Sequence, residues 1–212
     1  MIQKLLSVIS EKYPIKPIEG TNIDGLKASG MKFNIRAYYA EGLGHVSVMT
    51  AKGFFGLMKM DTLIVNPKEL DLPLYSYDRI FAMGNDVLIV ELYDTLVNMA
   101  GFGMKDIKNS YSDLADRDPG EHWYDSIKLP VSISKKGKKL NTPRMNELTL
   151  EHFAAYLAEA KPTDEVSVKM DKASVYVEGL LTKGGPSTDA FKKAIGEERT
   201  ADLFRNILFG TK

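Results

Sequence analysis

The chain has 212 residues, and Lys+Arg 28 balances Asp+Glu 28, so its formal net charge is zero. That balance excludes a globally basic nucleic-acid binder, which needs surplus cations to displace phosphate counterions. The absence of cysteine excludes disulfides, iron–sulfur ligation, thiol catalysis and cysteine zinc sites, so any redox chemistry needs a substrate, a non-covalent cofactor or an outside electron donor.

Hydrophobic residues make up 44% and charged residues 26%, the balance of a folded globular protein. The length suits one domain over residues 1–212. No apolar run approaches the roughly 18 residues that span a bilayer. Residues 1–7 lack the basic stretch and apolar run of a secretory leader. The expectation is a cytoplasmic protein with no membrane and no nucleic-acid partner.

Ile2, Leu5, Leu6, Ile9 and Tyr13 fall on one stripe at helical spacing. This predicts an amphipathic helix over 2–13, stopped by Pro14 and Pro17. Residues 32–38 alternate, with Phe33, Ile35 and Ala37 on one face, and 45–49 place Val46 and Val48 opposite His45, Ser47 and Met49. Further strands are predicted at 54–66, 74–82 and 87–93, the last two joined at Gly84-Asn85. Neighbouring strands with short turns make an antiparallel meander. Residues 104–116 read as helical, 118–120 as a turn, 126–134 as a sixth strand, and the lysine-rich 135–139 as a basic loop. Thr149 reads as the N-cap of a helix over 150–160, and Thr163 as the cap of one over 164–182. Gly184-Gly185-Pro186 breaks the chain before short helices at 188–195 and 198–209. A block of strands with helices around it defines an α+β layered fold.

Common chemical motifs are missing. The sequence has no GxGxxG after a strand, no GxxxxGK[ST], no GxSxG and no HExxH. His45, His122 and His152 lack metal-ligand spacing, so no metal site is predicted. Met49, Met58 and Met60 sit in predicted strands, where methionine either fills a core or lines the pocket of a flat apolar ligand.

One stretch is more specific. Leu72-Pro73-Leu74-Tyr75-Ser76-Tyr77-Asp78, after the apolar run 62–67, resembles the "LPxFGxD" segment of the ferredoxin-dependent bilin reductases, with Tyr75 for Phe and Ser76 for Gly. The run from Val87 to Glu91 and Leu92 resembles that family's next strand. Ala194-Ile195-Gly196-Glu197-Glu198-Arg199 with Leu203-Phe204 resembles its C-terminal "FGEEWAxRxxxxxLFD", and Trp123 matches a family tryptophan. Red chlorophyll catabolite reductase is similar in fold and chemistry.

The resemblance implies a three-layer α/β/α sandwich, a central antiparallel sheet flanked by helices, with a linear tetrapyrrole (bilin) between the sheet and the C-terminal helices. It implies no bound metal, flavin or nicotinamide. Electrons arrive singly from ferredoxin or a similar acidic carrier, and side chains supply protons. Its central aspartate, the proton donor, lands on Asp78, and that residue's partner on Asp61. A catalytic Glu of some members falls on Met49, which leaves Met49 a substrate contact. His45, on the same strand face, is left to relay a proton or to bond a lactam oxygen. A C-terminal acid falls near Gly185 and is also absent. Arg36 and Lys183 are candidates for the pigment's propionates. With two acids missing, the alternative is a non-catalytic bilin or haem carrier on the same fold. From the residues alone, Asp78 beside Arg79 reads as a solvent-facing paired carboxylate. The resemblance requires it to be buried, because desolvation is what keeps a carboxyl protonated near neutral pH.

Overall fold

Alternating side chains in consecutive strands sort the sequence onto two faces of one sheet, and each face takes its own layer of helices. In the computed structural model, which describes residues 1–185 and 187–212, the described residues form nine strands. They are β1 (Ile15–Pro17), β2 (Ile23–Ala28), β3 (Met31–Ala40), β4 (Gly44–Gly53), β5 (Met58–Pro67), β6 (Leu74–Ala82), β7 (Asn85–Tyr93), β8 (Ala115–Asp116) and β9 (Ile133–Lys138). All pairings are antiparallel, in the order β1-β3-β4-β5-β6-β7-β9-β8, with β2 also pairing β3.

Helices α1 (Ile2–Ser10) and α2 (Thr142–Ala158) cover one face, burying Leu5, Ile9, Leu148 and Phe153 against Leu63, Val65, Tyr75, Tyr77 and Leu88. On the other face, α3 (Val166–Lys183), α4 (Thr188–Ile195), α5 (Glu197–Asp202) and a π-helical segment, Leu203–Leu208, pack on Ile35, Met49, Ile64 and Tyr93. The result is the expected α+β, α/β/α sandwich. Among the described residues no helix is long and apolar enough to cross a membrane.

Several boundaries differ from the sequence expectation, for identifiable reasons. The predicted 54–66 strand begins at Met58, because Phe54–Gly56 form a tight turn with Phe54 and Phe55 at positive φ. Residues 104–116 hold one short turn of 3₁₀ helix, Lys108–Tyr111, and then β8. The sixth strand lies later than 126–134, and the lysine segment 135–139 is mostly strand rather than loop. Lys135 is buried within it and donates to Leu114 O (3.1 Å) while pairing with Asp116 (2.8 Å). Thr149 is not a cap. It lies mid-helix, and its hydroxyl donates to Met145 O four residues back (2.8 Å). Helix α2 starts seven residues earlier, at Thr142, with Pro143 in its first turn, where a missing N–H costs nothing. Pro186, the last residue of the predicted break, lies outside the described residues.

Candidate functional site

Between β4–β7 and the C-terminal helices lies a cavity of about 100 Å³. Its floor is the sheet face carrying Met49, Thr62, Ile64, Ser76, Asp78 and Glu91, and its roof comes from α3 and the segment 204–209. Asp78 sits near the middle strand of this floor, paired across the ladder with Thr62 on one side and Ile89 on the other. Burial pushes its carboxyl up from 3.8 to about 6. A hydrogen bond donated by the Thr62 hydroxyl opposes that rise, and the nearby Glu91 charge adds to it. A carboxyl near 6 is a competent proton donor close to neutral pH. The side chain lies deep in the protein but keeps partial solvent contact through the cavity.

The pairing of Asp78 with Arg79 is not found. Strand alternation sends Arg79 to the opposite face, where it makes a buried two-pronged ion pair with Asp86 (Nη2–Oδ2 2.6 Å). The same alternation separates Asp61 from Asp78. Asp61 is registered with Arg79, on the α1 side of the sheet, and Thr62 takes the place beside Asp78. Repulsion between Asp61 and Asp78 therefore does not act here. Glu91 supplies the neighbouring charge instead.

Arg36 is also on the α1 side. It donates to Ile23 O (3.1 Å) and pairs with Asp24 (2.6 Å), so it does not reach the cavity. His45 shares the cavity's sheet face but lies outside the lining. It is buried, and its Nε2 donates to Ile207 O at 2.9 Å. Desolvation drops its pKa to about 4, which keeps it neutral and makes it a fixed structural donor rather than a relay. Met49 does line the cavity. Lys183 is exposed at the end of α3, its ammonium 5.1 Å from the centre of the Trp123 ring, and is not part of the lining.

Sequence reading missed a cluster of aromatic side chains on one side of the cavity. Tyr93 stacks on Tyr176 (4.1 Å between centroids), Tyr124 meets Tyr93 edge-on (5.6 Å), and Tyr93 donates to Glu91 at 2.6 Å. Burial raises the pKa of Tyr93 and Tyr176 well above the usual phenol range, so both stay neutral donors. Trp123 donates to Gly184 O (2.9 Å) and lies so close to Gly179 that a Cβ there would be 2.1 Å from the indole. The one signal in the sequence was Glu91, an acid within the otherwise apolar run 87–93, on the same face as Ile89 and Tyr93.

The roof is tied down by three side chains of the floor. His45, Ser47 (2.6 Å) and Asn66 (2.8 Å) donate to the carbonyls of Ile207, Leu208 and Phe209. Beyond Asp78 the same sheet face is open, and Ile80, Val87 and Ile89 are half-exposed outside the core under α3, α4 and α5.

No family model matches the sequence, and no curated protein matches it. The fold is similar to that of phytochromobilin synthase from tomato, solved in complex with biliverdin, at a TM-score of 0.77 and 14% identity. The similarity covers 99% of this chain and 82% of that one. The two proteins share a fold over essentially the whole of this chain.

Proposed function

We propose that the protein binds a linear tetrapyrrole against the β5–β7 face and reduces it, with Asp78 as proton donor. The observation that carries this reading is a carboxyl raised to about 6 at the floor of a cavity that opens onto an apolar strip of sheet. The fold shared with the biliverdin-bound tomato protein and the resemblance around Leu72-Pro73 support the same ligand class.

In the proposed reaction one double bond of the pigment gains two electrons and two protons. Two reduced ferredoxins, or similar one-electron carriers, are each oxidised by one electron. The first electron makes a radical more basic than the parent pigment, and Asp78 hands it a proton. Solvent then reprotonates the carboxylate, which passes on the second proton once the second electron has arrived. Thr62 holds the carboxylate oxygen in place, and the Glu91–Tyr93 hydrogen bond borders the second wall of the cavity. Lys183, exposed at the end of α3 beside Trp123, is the cation assigned to a propionate in this reading.

The test is anaerobic incubation with biliverdin, ferredoxin and a ferredoxin-reducing system, followed by product chromatography. The parent protein should form a reduced bilin, while Asp78→Asn should bind pigment and form none. Reduction by Asp78→Asn at the parent rate removes the donor assignment. Tight binding by the parent protein without any product favours a non-catalytic carrier.

A further inference from the structure

Cross-strand register at one end of the sheet sets Lys27 against Lys32, Lys32 against Lys52, and Lys52 against Lys59. Four adjacent strands thus carry one continuous row of lysines. All four are exposed, and none takes part in the ion pairs found among the described residues. Like charges directly opposite one another oppose strand pairing, so this row works against the fold and suits an external anion. In a chain of zero net charge, it is a concentrated cationic patch.

The turns just past this row project apolar side chains into solvent. Phe54 and Phe55 link β4 to β5 at φ +51° and +55°, a conformation that hairpin turns normally give to Asn-Gly because a Cβ is penalised there. Phe55 is fully exposed and Phe54 about half. Leu57 and Met83 (φ +49°), on adjoining tips, protrude as well. The tips are joined by a hydrogen bond from Met83 N–H to Leu57 O. A shallow depression runs between Lys27, Lys32 and Lys52 and the two phenylalanines.

We propose that this end of the sheet docks on an anionic lipid surface, with the lysine row on the headgroups and Phe54, Phe55, Leu57 and Met83 in the interfacial layer. Apolar chains that protrude from hairpin tips suit a deformable lipid layer rather than the flat packed centre of a protein interface. Lysine acts as a diffuse point charge suited to a charged surface, where a protein contact would favour the planar fork of arginine. Such docking needs no spanning segment, so the expectation of no membrane partner, drawn from the missing apolar run, does not bear on it. The site lies away from the cavity and is independent of the pigment reading.

The test is co-sedimentation of the full chain with phosphatidylcholine vesicles, with and without phosphatidylserine. Binding is expected only with phosphatidylserine, weakening as salt rises. At about fivefold per lysine, the Lys32→Gln/Lys52→Gln double variant should bind roughly 25-fold more weakly. Phe54→Ser/Phe55→Ser should weaken binding while leaving its salt dependence in place. All four side chains are exposed, so far-ultraviolet circular dichroism should confirm that both variants fold. No binding to phosphatidylserine vesicles at low salt, or undiminished binding by the lysine variant, overturns the proposal. Capture of ferredoxin through these lysines with no vesicle binding also overturns it, in favour of an acidic protein partner.

Discussion

Replacing Asp78 by Asn should stabilise the protein in a pH-dependent way. The folded state holds the Asp78 proton at about 6, against an ordinary 3.8. Between those values the native state binds more protons than the unfolded chain, so unfolding free energy falls as pH rises through that window and stays depressed above it. Each tenfold change in acidity is worth 1.36 kcal/mol, which sets a ceiling of roughly 3 kcal/mol. The carboxylate borders the cavity and retains part of its hydration, so about 1–2 kcal/mol is expected at neutral pH. Asparagine keeps the shape and a carbonyl oxygen to accept from Thr62, but it has no charge to desolvate. Urea melts at pH 7.5 should show the variant more stable by that margin, with the gap closing towards pH 4, where native Asp78 is protonated. Equal stability at both pH values, or a loss at pH 7.5, would refute the claim that burial controls this carboxyl. The same substitution should abolish turnover, a gain in stability set against function.

Thr62→Val removes the hydrogen bond that favours the charged form of Asp78, so the alkaline limb of the pH–rate profile should move to higher pH. An unmoved limb would mean that another group limits the profile. Asp86→Ala leaves the buried Arg79 guanidinium unpaired and should cost about 3–5 kcal/mol in denaturant melts, with little change in pigment spectra, because Arg79 faces away from the cavity. Gly179→Ala sets a Cβ against the Trp123 indole. It should destabilise by about 1–3 kcal/mol despite alanine's higher helix propensity, and near-ultraviolet circular dichroism should report the displaced ring. Ser47→Ala with Asn66→Ala should raise pigment affinity while lowering stability by about 1–3 kcal/mol for each carbonyl left unpaired. Unchanged affinity would show that the tail does not restrict entry.

The layered architecture was legible because the strand alternation is strong. Val46 and Val48 did separate from Met49, and Met49 reached the cavity. Register was less legible. Residues 62–65, Thr-Leu-Ile-Val, are buried on both faces of the sheet, so their composition does not say which way Thr62 points. A position chosen one residue off, Asp61 for Thr62, moved the side chain to the other face. Arg36 fell on the wrong face although its strand alternates clearly, because it lies opposite Phe33 and Ile35, which face the cavity side. The lysine segment misled because three of its four charges are exposed while Lys135 is buried and satisfied, which composition cannot distinguish from a loop. Tyr176 and Tyr124 lie far apart in sequence and meet Tyr93 only through tertiary packing.

The cavity is too small for the proposed ligand as it stands. Sites for drug-sized molecules run to roughly 300–1,000 Å³, against about 100 Å³ here, so one wall must give. The sheet is the poor candidate. Strands β4–β7 pair continuously, and behind them stand the core under α1 and α2 and the buried Arg79–Asp86 pair. The roof is the better one. Three side-chain-to-carbonyl bonds fasten it, its last helical segment has the wide π geometry, and Gly184 at its other margin takes φ +86°. At a net of about 1 kcal/mol per hydrogen bond, a shift of the tail that gives up these three bonds but keeps Phe204, Leu208 and Phe209 packed costs roughly 3 kcal/mol. A ligand of micromolar affinity supplies about 8 kcal/mol. Opening is therefore affordable, and it lowers the apparent affinity by about a hundredfold relative to a pre-opened site. On the proposed reading, the bonds from Ser47 and Asn66 trade pigment affinity for a closed roof over Asp78, whose burial raises its carboxyl to about 6.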